Sequence, residues 1–166
     1  MSDSVAPPIA AEARKLTAQS LETGSDRYRS SDPVIAYAIL RLSFGANIML
    51  HGVSRLLAGP SGFLAYLNHY FEHTPLISKS LLPVFGAVLP PVETLLGFLL
   101  LLGLFTRASL IAGGLVMTGL VFGTNLAQDW NVAGLQLIYC FLYYYLLAHR
   151  REWNLLSLDR WLLRRN

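Results

Sequence analysis

Between Pro83 and Phe105 the chain reads PVFGAVLPPVETLLGFLLLLGLF, an apolar run with one carboxylate, Glu93, near its middle and two prolines, Pro90 and Pro91, just before it. At 1.5 Å per helical residue the run is long enough to cross a hydrocarbon core of about 30 Å. An acid at that depth is costly unless it faces protein and finds a partner. A chain containing this run must therefore surround it with other helices and supply something for Glu93 to face.

The rest of the sequence provides those helices. Only 14% of the residues are charged and 54% are hydrophobic, against roughly 25% charged in a soluble domain. Between Pro33 and His149 the charged residues are Arg41, Arg55, Glu72, Lys79, Glu93, Arg107 and Asp129. This composition excludes a soluble globular domain and predicts an all-α integral membrane protein, a bundle of four transmembrane helices.

Three regions follow from the pattern. Residues 1–32 are polar, lack the apolar core of a cleavable signal peptide, and read as an extension that is mobile or docks a partner, with a short helix over Ala10 to Leu21. Residues 33–149 form the bundle. Asp32-Pro33 predicts the start of the first helix, which runs to about Gly52. Gly59-Pro60-Ser61-Gly62 breaks the chain. Phe63 to Phe71 is too short to span and reads as an external interfacial helix. The second helix covers about Leu81 to Phe105, the third Leu110 to Asn125, and the fourth Val132 to Ala148. Gly119 and Gly123 have the spacing of a close helix approach. Residues 150–166, RREWNLLSLDRWLLRRN, alternate Leu and Trp with Arg and predict a basic amphipathic helix on an anionic membrane surface.

Orientation follows from the basic residues. Arg14, Lys15, Arg27, Arg29, Arg107 and the five arginines of the tail lie on one side, against Arg55 and Lys79 on the other. The positive-inside rule places both termini in the cytoplasm. The net charge of +3 is thus a matter of membrane orientation, and no nucleic-acid partner is expected.

The polar groups inside the membrane are few enough to place. Arg41 lies roughly 12 Å along the first helix and Glu93 roughly 14 to 18 Å along the second, antiparallel one. On that arithmetic they meet near the midplane and pair. At 100° per residue, Arg41, Asn47, His51 and Arg55 share an arc of about 120°, a polar stripe climbing toward the outer surface. Gln136 and Asn125 lie in the same outer half. The carbonyls near Gly86 and Ala87, which lose their helical partners to the prolines, can face the stripe. An Arg41–Glu93 pair that only fixes helix register is the simpler reading of the same residues.

Other patterns carry less. His69-Tyr70-Phe71-Glu72-His73 matches H-x-x-E-H, an inverted zinc-protease pattern, but it lies in an external segment and lacks a further acidic ligand, so no metal site is expected. His51 and His149 sit toward opposite faces and cannot share a haem. Cys140 is single, forms no internal disulfide, and reads as a small core residue.

Two segments together resemble the DoxX/DoxD family of small four-helix membrane proteins: LRLSFGANIMLHGVSRLLAGPSGFLAYL (Leu40 to Leu67) and PPVETLLGFLLLLGLFTRASL (Pro90 to Leu110). The likeness extends over about 34–150. It implies a bacterial cytoplasmic (inner) membrane location and a redox association, since some members resemble the membrane subunit of thiosulfate:quinone oxidoreductase. On that resemblance an activity would be that of an oxidoreductase with a sulfur donor and quinone as acceptor. Glu93 and Arg41 would be catalytic, and His51 and Arg55 would hold quinone or an anion; Asn47 and Gln136, taken from the polar half of the bundle and not from the resemblance, are the further candidates for that binding. Quinone is the cofactor implied, none being bound covalently. Two rival readings use the same residues: an accessory subunit of a larger electron-transfer complex, respiratory or photosynthetic, and a small anion transporter. The expected partners are the lipid bilayer, other membrane subunits and quinone.

Overall fold

The computed structural model describes residues 8–163, with side chains from Ser31 to Leu162, and among them there are six helices and no strand. They are α1 (Pro8–Leu57), α2 (Gly59–Tyr70), α3 (Leu81–Leu102), α4 (Thr106–Leu126), α5 (Trp130–Trp153) and α6 (Leu158–Leu163). Four segments are long and apolar enough to cross a membrane: Ser31–Leu57, Leu81–Leu102, Thr106–Leu126 and Trp130–Leu162. The protein is a multi-pass membrane protein. Its outward faces carry Ile35, Ile39, Val84, Val88, Leu115, Phe122, Leu135 and Ile138, as a lipid-facing surface requires.

The first helix does not begin at Asp32-Pro33. α1 is continuous from Pro8, with Pro33 inside it, so the predicted boundary is corrected. The helix predicted over Ala10 to Leu21 falls within that same rod, and the side chains of residues 1–30 lie outside the described ones. One corner is sharp. Gly103 (φ 65°) and Phe105 (φ 48°) are both left-handed in the turn between α3 and α4. The Phe105 strain is held by the carboxylate of Asp159, which accepts the backbone N–H groups of Phe105 at 2.7 Å and Thr106 at 2.8 Å and so caps α4 from the far end of the chain.

That contact changes the reading of the tail. α5 ends at Trp153, and the side-chain amide of the next residue, Asn154, donates to Thr106 Oγ1 at 3.2 Å. The chain then turns back beneath the bundle, and the Asp159 N–H donates to the Gly103 carbonyl at 3.0 Å. The predicted surface helix is reduced to six residues fastened to the α3–α4 corner; Arg164 and Arg165 lie outside the described residues.

The slide of α1 along α3 fixes the depth of every polar group. It is set by three glycines, and they are not the expected pair. A Cβ on Gly97 would meet the Met49 backbone nitrogen, and Met49 Cα at 2.6 Å; one on Gly45 would meet Leu101 N at 2.9 Å; one on Gly52 would meet Pro90 O at 2.5 Å. Gly119 has nothing within 4 Å, and Gly123 only the Phe71 ring at 3.7 Å. Close approach therefore occurs between α1 and α3. Tyr37, Phe44, Ile48, Leu100, Leu110, Met117, Tyr143 and Leu146 fill the main core on the inner side of that contact, and Phe63, Leu67, Leu82 and Leu89 form a second cluster where α2 covers the start of α3.

Candidate functional site

The glycine contacts place Glu93 level with Gly52–Arg55, about 17 Å along the axis from Arg41. The predicted Arg41–Glu93 pair does not form. Glu93 instead pairs with Arg55, through its Oε2 and the guanidinium Nη1. The depth arithmetic failed because it treated the helix ends as level. α1 runs to Leu57, and α2 then folds back over the first turns of α3, which slides the start of α3 outward relative to α1.

Arg41 has a different task. It is buried, and its guanidinium donates to the carbonyls of Leu100 and Leu101 (3.0 Å to the latter) and, through Nη2, to Leu156 O at 2.8 Å. The last carbonyls of α3 have no helical partners and form the negative end of its dipole, so a cation there is doubly favoured. Arg41 ties α1, the end of α3 and the returning tail together, and is not part of the outer site.

The end of the bundle at which α1 leads into α2, the expected outer end, contains a cavity of about 340 Å³. α2 supplies Phe63, Tyr66 and Tyr70, α3 supplies Leu82, Phe85 and Leu89, and Thr124 and Gln136 come from α4 and α5. Arg55 lines it too, with its guanidinium 5.0 Å from the centre of the Phe63 ring, within cation–π range. The Arg55 side chain is 26% exposed while that of Glu93 is 8% exposed. The pair thus presents its cationic half to the space and keeps its carboxylate behind.

Two polar contacts frame the opposite wall. Tyr70 donates to Asp129 Oδ2 at 2.9 Å, and Asp129 Oδ1 caps α5 by accepting from Val132 N at 3.1 Å. Burial, with the Asp129 hydrogen bond and charge added, pushes the Tyr70 phenol above its ordinary range. The Gln136 amide oxygen lies 2.7 Å from Thr124 Oγ1. That hydroxyl also lies 3.0 Å from the Leu120 and Val121 carbonyls. Its one hydrogen can serve only one of these acceptors. The Gln136 NH2 remains a donor beside the cavity.

Of the six predicted site residues, three therefore gather here: Glu93, Arg55 and Gln136. The other three do not. Arg41 is at the far end. Asn47 and His51 are exposed on the outer flank of α1, where Asn47 accepts from Tyr139 Oη at 3.1 Å. Gly86, one of the residues ahead of the prolines, packs under Leu67 and Phe63 of α2, whereas Ala87 is exposed; Pro90 O accepts from Thr94 Oγ1 at 2.9 Å. Sequence reasoning missed Tyr70, Asp129 and Thr124 as parts of one site. The helical spacing of Phe63, Tyr66 and Tyr70 was the available signal, but nothing in it showed that α2 leans over α3 and α4.

The remaining candidates sit apart. His69 and Glu72 approach to 3.6 Å and are well exposed. His149 stacks on Trp153 with ring centres 4.1 Å apart, near the end of α5 remote from His51. Cys140 is half-buried against the main core.

Neither curated proteins nor solved structures yield a match to this sequence. A family model described as DoxX matches residues 36–126, from the third residue after Pro33 through the end of α4, so that α5 and the tail lie beyond the matched region. With more than half of the chain covered, four spanning segments and the Glu93-bearing helix at its centre, the chain belongs to the DoxX family.

Proposed function

We propose that the outer cavity receives the ring of a quinone and that the protein serves a membrane redox reaction of the kind associated with thiosulfate:quinone oxidoreductase. The observation that carries this reading is the Arg55–Glu93 pair at the edge of a largely apolar, aromatic-lined space. Ligand sites of this kind are mostly hydrophobic with a few placed polar groups. A quinone offers flat apolar area to Phe63 and Tyr66 and carbonyl oxygens to the Arg55 guanidinium and the Gln136 amide. Glu93 holds Arg55 in place and is the group nearest at hand to exchange a proton as the ring is reduced. The same neutralisation argues against an anion as the resident ligand, because Arg55 brings no net charge once it is paired. The chain's own residues bind, orient and exchange protons; the electron donor lies in a partner, at the outer side of a bacterial cytoplasmic membrane with both termini inside.

The accessory-subunit reading keeps one specific support. His51 is polar, lies within a spanning segment and faces outward, where lipid gives its ring no hydrogen-bond partner, whereas Asn47 on the same flank already has Tyr139. A neighbouring membrane subunit would supply one for His51.

Binding of a short-chain ubiquinone analogue to the purified protein, followed by quenching of its aromatic fluorescence, tests the quinone reading. The expected result is saturable binding that falls at least tenfold in Arg55→Met and in Glu93→Gln and is unchanged in Arg41→Met. Non-saturable quenching, or equal binding in all variants, overturns it. Normal quinone binding with stoichiometric copurification of a larger complex adds the subunit role. Loss of that copurification in His51→Leu places the partner on the α1 flank.

A further inference from the structure

The membrane face that carries the turn between α3 and α4 has a second recess, of about 510 Å³, with no residue in common with the outer cavity. Its walls include Leu104, Phe105, Ile111 and Leu162, and two arginines line it, Arg107 on α4 and Arg150 on α5. The two arginines stand at one level. Gly113 of α4 packs directly against the Tyr143 ring of α5, and counting six residues along each antiparallel helix from that contact leads to 107 and 149. Arg107 lies one residue inside the start of a spanning segment, the depth at which headgroups sit.

Among the described residues neither guanidinium has a carboxylate within ion-pairing distance; the pairs that form are Arg55–Glu93 and His69–Glu72. Asp159 also borders the recess, where its oxygens accept the N–H groups of Phe105 and Thr106; its charge offsets one of the two cations, and the recess keeps a net positive charge. Two unpaired cations thus flank an apolar groove at the membrane boundary. Hydrocarbon alone leaves the cations unmatched, and a soluble anion alone leaves Phe105 and Ile111, both well exposed, uncovered.

We infer that this groove binds an acidic phospholipid. Its phosphate lies between Arg107 and Arg150, and an acyl chain runs along Phe105, Ile111 and Leu162. Basic recesses between membrane helices are the usual seat of such headgroups. The lipid would bridge α4 to α5 at the end where the tail is fastened, so it would add stability to the corner that Asp159 and Arg41 hold.

The test uses full-length protein in a neutral detergent, stripped of lipid. Mixed micelles containing phosphatidylglycerol are expected to raise its melting temperature, whereas micelles containing phosphatidylcholine or added inorganic phosphate are not. Apparent affinity should fall about fivefold for each guanidinium removed, and about thirtyfold in Arg107→Gln/Arg150→Gln. Arg151→Gln/Arg160→Gln, two exposed arginines outside the groove, should keep the response. Should the first double variant fail to fold, Ile111→Trp fills the apolar wall with both charges intact and is expected to abolish the response. An equal effect of phosphatidylcholine, a full effect of phosphate alone, an unchanged response in the groove variants, or an equal loss in Arg151→Gln/Arg160→Gln would each overturn the inference.

Discussion

Gly97→Ala adds one methyl group at the tightest point of the bundle. The new Cβ would stand 2.6 Å from Met49 Cα and 2.7 Å from the Gly45 carbonyl oxygen. Carbon atoms pack at about 3.5–4.0 Å, so α1 and α3 must separate by roughly 1 Å at this level. The clash is backbone on backbone, and no side-chain rotation relieves it. A gap of 0.5–1 Å already forfeits about a quarter to a half of each dispersion contact, and membrane helices rely on such contacts because lipid provides no hydrophobic drive between them. We expect a loss of about 3 kcal/mol, the upper part of the overpacking range. Gly119→Ala is the matched control: nothing lies within 4 Å of its Cβ position, and replacing a mid-helix glycine recovers up to about 1 kcal/mol. Unfolding by added sodium dodecyl sulfate in mixed micelles, followed by tryptophan fluorescence, measures both. If Gly97→Ala unfolds within about 0.5 kcal/mol of the wild type while Gly119→Ala loses more, the assignment of the tight contact to α1 and α3 is refuted.

Arg41→Met removes the bonds to Leu100, Leu101 and Leu156 and leaves carbonyls at the end of α3 bare; a cost of about 3 kcal/mol is expected, together with faster trypsin cleavage after Arg160. Unaltered cleavage and stability would show that the tail is held by other contacts. Tyr70→Phe should cost about 1 kcal/mol at neutral pH through loss of the Asp129 hydrogen bond. Because the folded protein holds the Tyr70 proton more tightly than the unfolded chain, this contribution is full below the ordinary phenol value of about 10 and is lost as pH rises past it. Wild-type and variant stability curves should therefore stay apart up to about pH 10 and approach each other only above it, and curves that stay parallel there would count against the contact.

Much was legible from composition and hydropathy. The bilayer admits few spanning structures, so four apolar runs of helical length announce four helices whatever their packing. The cost of a charge in hydrocarbon marked Glu93 as a group needing a cation, and the chain offers only Arg41 and Arg55 on the first span. Choosing between them was beyond the sequence. Both share one helix face, and the choice depends on how far α1 slides along α3, a quantity set by backbone contacts at Gly45, Gly52 and Gly97. Small residues recur in many membrane helices, and nothing in Gly119-x-x-x-Gly123 reveals that no helix backbone packs against it.

Local pattern thus determined which segments span the membrane and which residues are costly there, because hydration and helix geometry act residue by residue. The tertiary structure decided which of those residues meet. It turned Arg41 into a clamp on helix ends, gave Glu93 to Arg55, leaned α2 over α3 to enclose a cavity, and drew Asp159 back across the corner to cap α4. Each of these depends on the relative placement of segments distant in sequence, and no periodicity within a single helix encodes that placement.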